Sequence, residues 1–265
     1  QLDKEYIHFV HGLNGQLNAG VFKGSYRGSK IIKLNRYFNR IEFEVQNNAM
    51  YFDPKNPLSR SSDSNVSSAI LASSTIIAEK ESKYLINVDN VFLSEALHQI
   101  TRGFIPGGVN KNPFKLGRLA KERTKYFEIK NYPQNTDFIV QYVYTNPTPT
   151  NWGSDVGLTD PRSVNVTLQH SFIKLPENNY KPRFEDPRVG YFTTKVTDMT
   201  SANDPTPYRD MIHRWHLEKK DPSQSRSVVK EPIVWWIENT TPHEFRDAIK
   251  EGVLSWNKAF DKAGF

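Results

Sequence analysis

Phe138, Val140, Tyr142 and Tyr144 fall on every second position of residues 137–145, and Val164, Val166 and Leu168 do the same within residues 163–175. A period of two sends alternate side chains to opposite faces of an extended chain, so each run predicts a strand with one apolar face. No strand buries such a face alone, and several in one chain require a sheet. The pattern recurs at residues 40–45, where Ile41, Phe43 and Val45 interleave with Arg40, Glu42 and Glu44. Residues 31–37 precede it across the turn-like pair Phe38-Asn39, which predicts a hairpin. Further strands are expected at residues 6–10, 74–79, 84–88 and 126–132. A short helix is expected at 66–72, and a longer one at 89–100, where Leu93, Leu97 and Ile100 share a face. The fold class is therefore α+β and predominantly β-rich: antiparallel sheets with a few helices.

Residues 231–265 carry a different pattern. The run 233–237 (IVWWI) has the β-branched and aromatic composition of a buried strand. Thr241 is placed to be an N-cap, Pro242 suits the first helical position, and Glu244 completes a capping box. Phe245, Ile249, Val253, Trp256 and Phe260 then recur at helical spacing, with Gly264 as the stop. One strand and one helix cannot cover each other's apolar faces, so the rest of their sheet is expected beyond Phe265.

Turn signals divide the chain into three expected parts. Residues 1–105 form a β-rich N-terminal region, and 106–230 a second one with long proline-punctuated loops. Residues 231–265 are the first strand and helix of a further domain. Pro106-Gly107-Gly108, with residues 110–113, reads either as the first division or only as an exposed insertion, and residues 53–64 and 146–161 read as loops. Between residues 182 and 232 the pairs Asp186-Pro187, Asp204-Pro205, Thr206-Pro207 and Asp221-Pro222 break regular structure. That stretch also holds Tyr191, Phe192, Trp215 and Leu217, too much apolar surface for a solvated tether. It is expected to be ordered against the body, with strands at 190–196 and 214–217.

Aromatic residues make up 12% of the 265 positions, which speaks for a folded, strand-rich protein. The net charge of +6 is scattered in short mixed runs, so no stripe suited to tracking nucleic-acid phosphates is formed. The absence of cysteine excludes disulfides, thiol nucleophiles and cysteine-ligated zinc. No apolar run approaches the roughly 18 residues that a membrane-spanning helix needs. Gln1-Leu2-Asp3-Lys4 lacks both the basic start and the apolar core of a secretion signal. With a strand expected from residue 6, the chain reads as beginning inside a larger protein.

Five histidines sit where paired imidazole chemistry is conceivable from spacing. His8 and His11, three apart in a strand, project to opposite faces and do not share an ion. His213 and His216 would share a face only on a helix. His243-Glu244 begins like a helix-borne HExxH, but the second ligand position holds Asp247. A zincin helix needs two imidazoles at i and i+4 to reach one ion, so this motif fails. No GxSxG elbow, dinucleotide fingerprint or phosphate-binding loop occurs. The residues thus nominate no catalytic, cofactor-binding or metal position.

Four ordered segments carry a resemblance. SVNVTLQHSFIKLPENNYKPR at 163–183, DPRVGYFTTKVTDM at 186–199, HRWHLEKKDP at 213–222 and EPIVWWIENTTPHEFRDAIKEGVLSWNKAFDKAGF at 231–265 resemble a family of large bacterial zinc-dependent metalloproteases. Residues 1–162 are similar, more loosely, to the uncharacterised N-terminal region of the same proteins. The resemblance implies that residues 231–265 open a metzincin-like catalytic domain whose zinc motif lies further along the parent, so no catalytic residue carries over. His216 stands where the family pattern has arginine. What the resemblance implies is a secreted, periplasmic or outer-membrane-associated parent that hydrolyses peptide bonds with zinc, while this chain alone is inactive. Its partners would be the remainder of its own catalytic domain, a protein or peptide substrate and a cell-envelope complex. The other reading left open is a non-enzymatic binding or assembly module of the cell surface.

Overall fold

A computed structural model describes residues 1–64, 66–100, 115–149, 157–200 and 208–265. The Pro106-Gly107-Gly108 division, Asp204-Pro205, Thr206-Pro207 and part of the 146–161 loop lie outside the described residues. The chain divides into two compact units, one of residues 1–178 with 196–208 and one of residues 179–195 with 209–265.

The first unit is built on one antiparallel sheet. Its strands are β1 (Glu5–Asn14), β2 (Tyr26–Tyr37), β3 (Arg40–Val45), β5 (Ala69–Lys80), β6 (Lys83–Ile86), β7 (Arg118–Leu119), β8 (Lys125–Asn131), β9 (Asn135–Thr145) and β10 (Ser163–Lys174). Their spatial order is β6-β5-β3-β2-β1-β10-β9-β7, with β8 pairing β9. Hairpins make most of these neighbours, as at Tyr37↔Arg40 across Phe38-Asn39 and Lys80↔Lys83 across Glu81-Ser82. The long-range joint is β1 with β10, where His8 faces Phe172 and Val10 faces His170. A short parallel pair, β4 (Met50–Tyr51) with Thr197 and Asp198 of β11 (Thr193–Asp198), lies apart from this sheet.

The alternation read from the sequence selects the buried face. Val140, Tyr142, Tyr144, Val166 and Leu168 are wholly buried, joined by Val10, Ile32 and Phe43 from the other half of the sheet. The segment following β6 covers this face with Val91, Phe92, Leu97 and Ile100. The fold is thus β-rich α+β, as the periodicity indicates.

Several expectations are corrected. Residues 66–72 are not helical; β5 starts at Ala69, because pairing Ile70 with Glu44 of β3 satisfies the backbone in an extended form. The helix expected at 89–100 is one turn, α1 (Asp89–Phe92). Beyond it, groups that a helix would pair internally are taken by side chains: Lys30 Nζ donates to Leu97 O at 3.1 Å, and the Ile100 amide donates to Glu95 Oε1 at 2.8 Å. The division at 105/106 separates no two bodies, since strands from both sides share the sheet. The division at 230/231 falls within the second unit.

The second unit contains β12 (Tyr208–Ile212) from Arg209 onward and the helices α2 (His243–Leu254) and α3 (Asn257–Lys262). Residues 233–237 form no strand, and neither do 214–217, because no neighbouring strand pairs with them among the described residues. The expected single helix is split at Ser255-Trp256. There Ser255 Oγ donates to Gly252 O at 2.7 Å, and bonds of the i→i+3 type replace the regular ladder. Pro242 is the N-cap residue and no side chain caps the helix, so the Thr241–Glu244 box is not made. Arg246 instead donates to Asn239 O at 2.7 Å and Thr241 O at 3.0 Å. Gly264, at φ +90°, ends α3 as expected; a Cβ there would lie 2.6 Å from Ser225 O. No described helix is long and apolar enough to cross a membrane.

Candidate functional site

Two places stand out, one inside each unit. In the first, β10 delivers His170 to the buried face because it continues the alternation Val166, Leu168, His170, Phe172. β1 delivers His8 by the same rule, and each ring is only 1% exposed. His8 Nε2 lies 3.0 Å from His170 Nδ1, and His170 Nε2 lies 2.8 Å from Tyr142 Oη. Tyr142 donates its one hydroxyl proton to Phe92 O at 2.9 Å.

That last bond assigns the rest of the row. A carbonyl oxygen only accepts, so Tyr142 Oη must accept from His170 Nε2–H. A neutral His170 then has a lone pair on Nδ1 and accepts from His8 Nε2–H. Burial, first of all, keeps both rings neutral: it holds His8 down at about 3 and His170 well below the ordinary imidazole range. The cation Lys30, opposite His8 on β2, and His98 push His8 the same way. Tyr144 runs alongside, donating to Glu95 Oε1 at 2.7 Å; burial, then Glu95, raise its pKa. The row therefore ties β1, β10 and β9 to the backbone of the covering segment.

The second place is an apolar groove of about 980 Å³ within residues 209–265. Trp215 and Trp235 meet edge to face, with centroids 6.4 Å apart, on one side, and Val253, Trp256 and Phe260 line the other. A turn closed by Lys220 N→Val228 O and Lys230 N→Glu218 O forms one wall. Ser227 N→Gly264 O and an Arg226–Asp261 ion pair tie that wall to α3. Lys219 Nζ caps Gln224 O at 3.1 Å and Ser225 O at 2.6 Å. The groove's aromatics remain in water: Trp235 is 65% and Trp256 67% exposed, and neighbouring Trp236 is 90% exposed.

His11, His213, His216 and His243 do not converge. His11 sits on the face opposite His8. His213 Nε2 bonds Thr194 Oγ1 at 2.7 Å, His216 Nε2 bonds Asn179 Oδ1 at 3.0 Å, and His243 opens α2 in solvent. Among the described residues, no three His, Asp or Glu side chains converge where a metal ion could sit. The sequence reading missed His170 and Tyr142 as partners. Both lay on alternations that had been read, but the β1–β10 pairing that joins His8 to them leaves no local signal.

No curated protein matches the chain, and no solved structure does. One family model matches residues 24–220, from just before β2 to the start of the turn that walls the groove, and is described as a domain of unknown function, DUF5117. That match covers well over half of the sequence, and the protein belongs to the DUF5117 family.

Proposed function

We propose that this chain is the N-terminal part of a secreted or envelope-associated zinc-dependent metalloprotease, which hydrolyses peptide bonds with residues that this chain does not supply. The observation that carries the reading is the order of the 186–199, 213–222 and 231–265 segments. It is supported by what those segments do physically: IVWWI at 233–237 and the apolar side of α2 stay uncovered, the condition of a strand and helix whose sheet comes from elsewhere. In this reading the first unit is a stable support and the second is the seam to the catalytic part. The test uses the whole natural protein: one equivalent of bound zinc and chelator-sensitive cleavage of a peptide library are expected. A metal-free, inert whole protein would overturn the reading. The exposed tryptophans also favour a second one, a surface-binding module without chemistry, because apolar patches of this kind mark interaction sites. In that case the whole protein lacks zinc and activity, yet buries these tryptophans against a partner.

A further inference from the structure

We propose that the His8–His170–Tyr142 row is an acid-sensitive latch: it holds residues 88–100 against the sheet at neutral pH and frees them as the surroundings acidify. The geometry gives an extra proton no favourable place: at His8 Nδ1 it leaves the hydrogen bonds of the row intact but makes a cation of a ring that is 1% exposed and lies opposite Lys30. The row's two short contacts, 3.0 and 2.8 Å, run in one direction from His8 through His170 to Tyr142; His8 contributes one N–H, and His170 one lone pair and one N–H. A proton added at His170 Nδ1 sets two N–H groups face to face across 3.0 Å. The bond survives only if His8 moves its own proton to Nδ1, and a second added proton removes that escape as well.

The surroundings do not offset the charge. His8 stacks between His170, at 5.2 Å, and Phe172, at 4.7 Å, while Phe92 meets His170 edge to face at 6.0 Å. The titratable and charged groups facing the pair are Lys30 from β2, His98 from the covering segment and Tyr142 from β9, with Glu95 and Tyr144 one step further along, beside Tyr142. Lys30 is a cation, His98 opposes protonation in the same direction, and the carboxylate Glu95 is engaged by Tyr144 and the Ile100 amide. A charged His8 reaches water only if the cover lifts, and the groups beside it hold that cover: Lys30, opposite His8, donates to Leu97 O, and His170 holds Phe92 O through Tyr142. The depressed affinity of both imidazoles for protons agrees with this. Residues 88–100 are the natural part to yield, because after one helical turn they are held by side-chain bonds and not by a strand ladder.

Hydrogen exchange along the 265-residue chain at about pH 7 and about pH 5, corrected for intrinsic rates, tests the latch. Amides of residues 91–100 should lose protection by about tenfold or more at the lower pH while β9 and β10 keep theirs. The double variant His8→Phe with His170→Leu should abolish that difference. Simultaneous loss in segment and sheet, no loss at all, or the same loss in the double variant would each overturn the proposal. Should the double variant not fold, ring NMR of the wild type decides. Protonation of His8 and His170 in step with the opening supports the latch, and protonation with residues 91–100 still protected refutes it.

Discussion

Tyr142, Tyr144 and Leu168 of the first unit have no surface left in water, whereas Trp235, Trp236 and Trp256 of the second keep well over half of theirs. Both units have apolar sequences at regular spacing; they differ in whether a partner exists to pair with. In the first, β1 finds β10 and the covering segment closes the buried face. In the second, a strand-like run and an amphipathic helix lie on the same piece of chain with no sheet between them. Periodicity therefore reports which side of an element wants burial, and only tertiary pairing determines whether it is granted.

Substitutions should separate the units most sharply. Phe92→Ala removes a ring packed against Phe138 at 4.0 Å and should cost about 3–5 kcal/mol by denaturant unfolding. Trp256→Ala should change stability by less than about 1 kcal/mol, as exposed positions do. Equal effects would break the comparison.

Acid comes next. The folded-state pKa of His8, about 3, lies below the unfolded value of about 6.5, so the unfolded chain binds more protons. Stability is therefore full above pH 6.5 and falls as pH drops toward 3. Between about pH 7 and 5 this costs roughly 2 kcal/mol for His8, and His170 adds to it in the same direction. Urea midpoints against pH measure it, and His8→Phe should flatten the slope.

Smaller again is Tyr142→Phe, which leaves Phe92 O and His170 Nε2–H without their shared hydroxyl and should cost about 1–3 kcal/mol. Least of all is Arg226→Ala. Its pair with Asp261 is solvent-exposed, and thermal unfolding should register less than about 1 kcal/mol.

Much of the first unit was legible in sequence. The hairpin at Phe38-Asn39, the core face of Phe138 to Tyr144, and the opposite placement of His8 and His11 follow from period two alone. Leu97 and Ile100 were rightly read as inward-facing, although the helix expected to carry them is a single turn. What escaped depends on distant partners. Residues 69–72 are extended because β3 is beside them, and His170 gains meaning only from His8, which lies 162 positions away. In residues 231–265 the helix was legible, but its cap was not, since the Thr241 amide donates to Glu238 O and no side chain caps α2.

Equilibrium unfolding followed by two probes tests the contrast between the units most directly. Four of the five tryptophans (Trp215, Trp235, Trp236 and Trp256) lie in the second unit, so their fluorescence reports on it, while far-UV circular dichroism is dominated by the sheet of the first. The expected result is water-exposed tryptophan emission in the native protein, and a fluorescence change that is small or complete at lower denaturant than the loss of the β signal. Buried-type emission, together with coincident transitions in both probes, would contradict it.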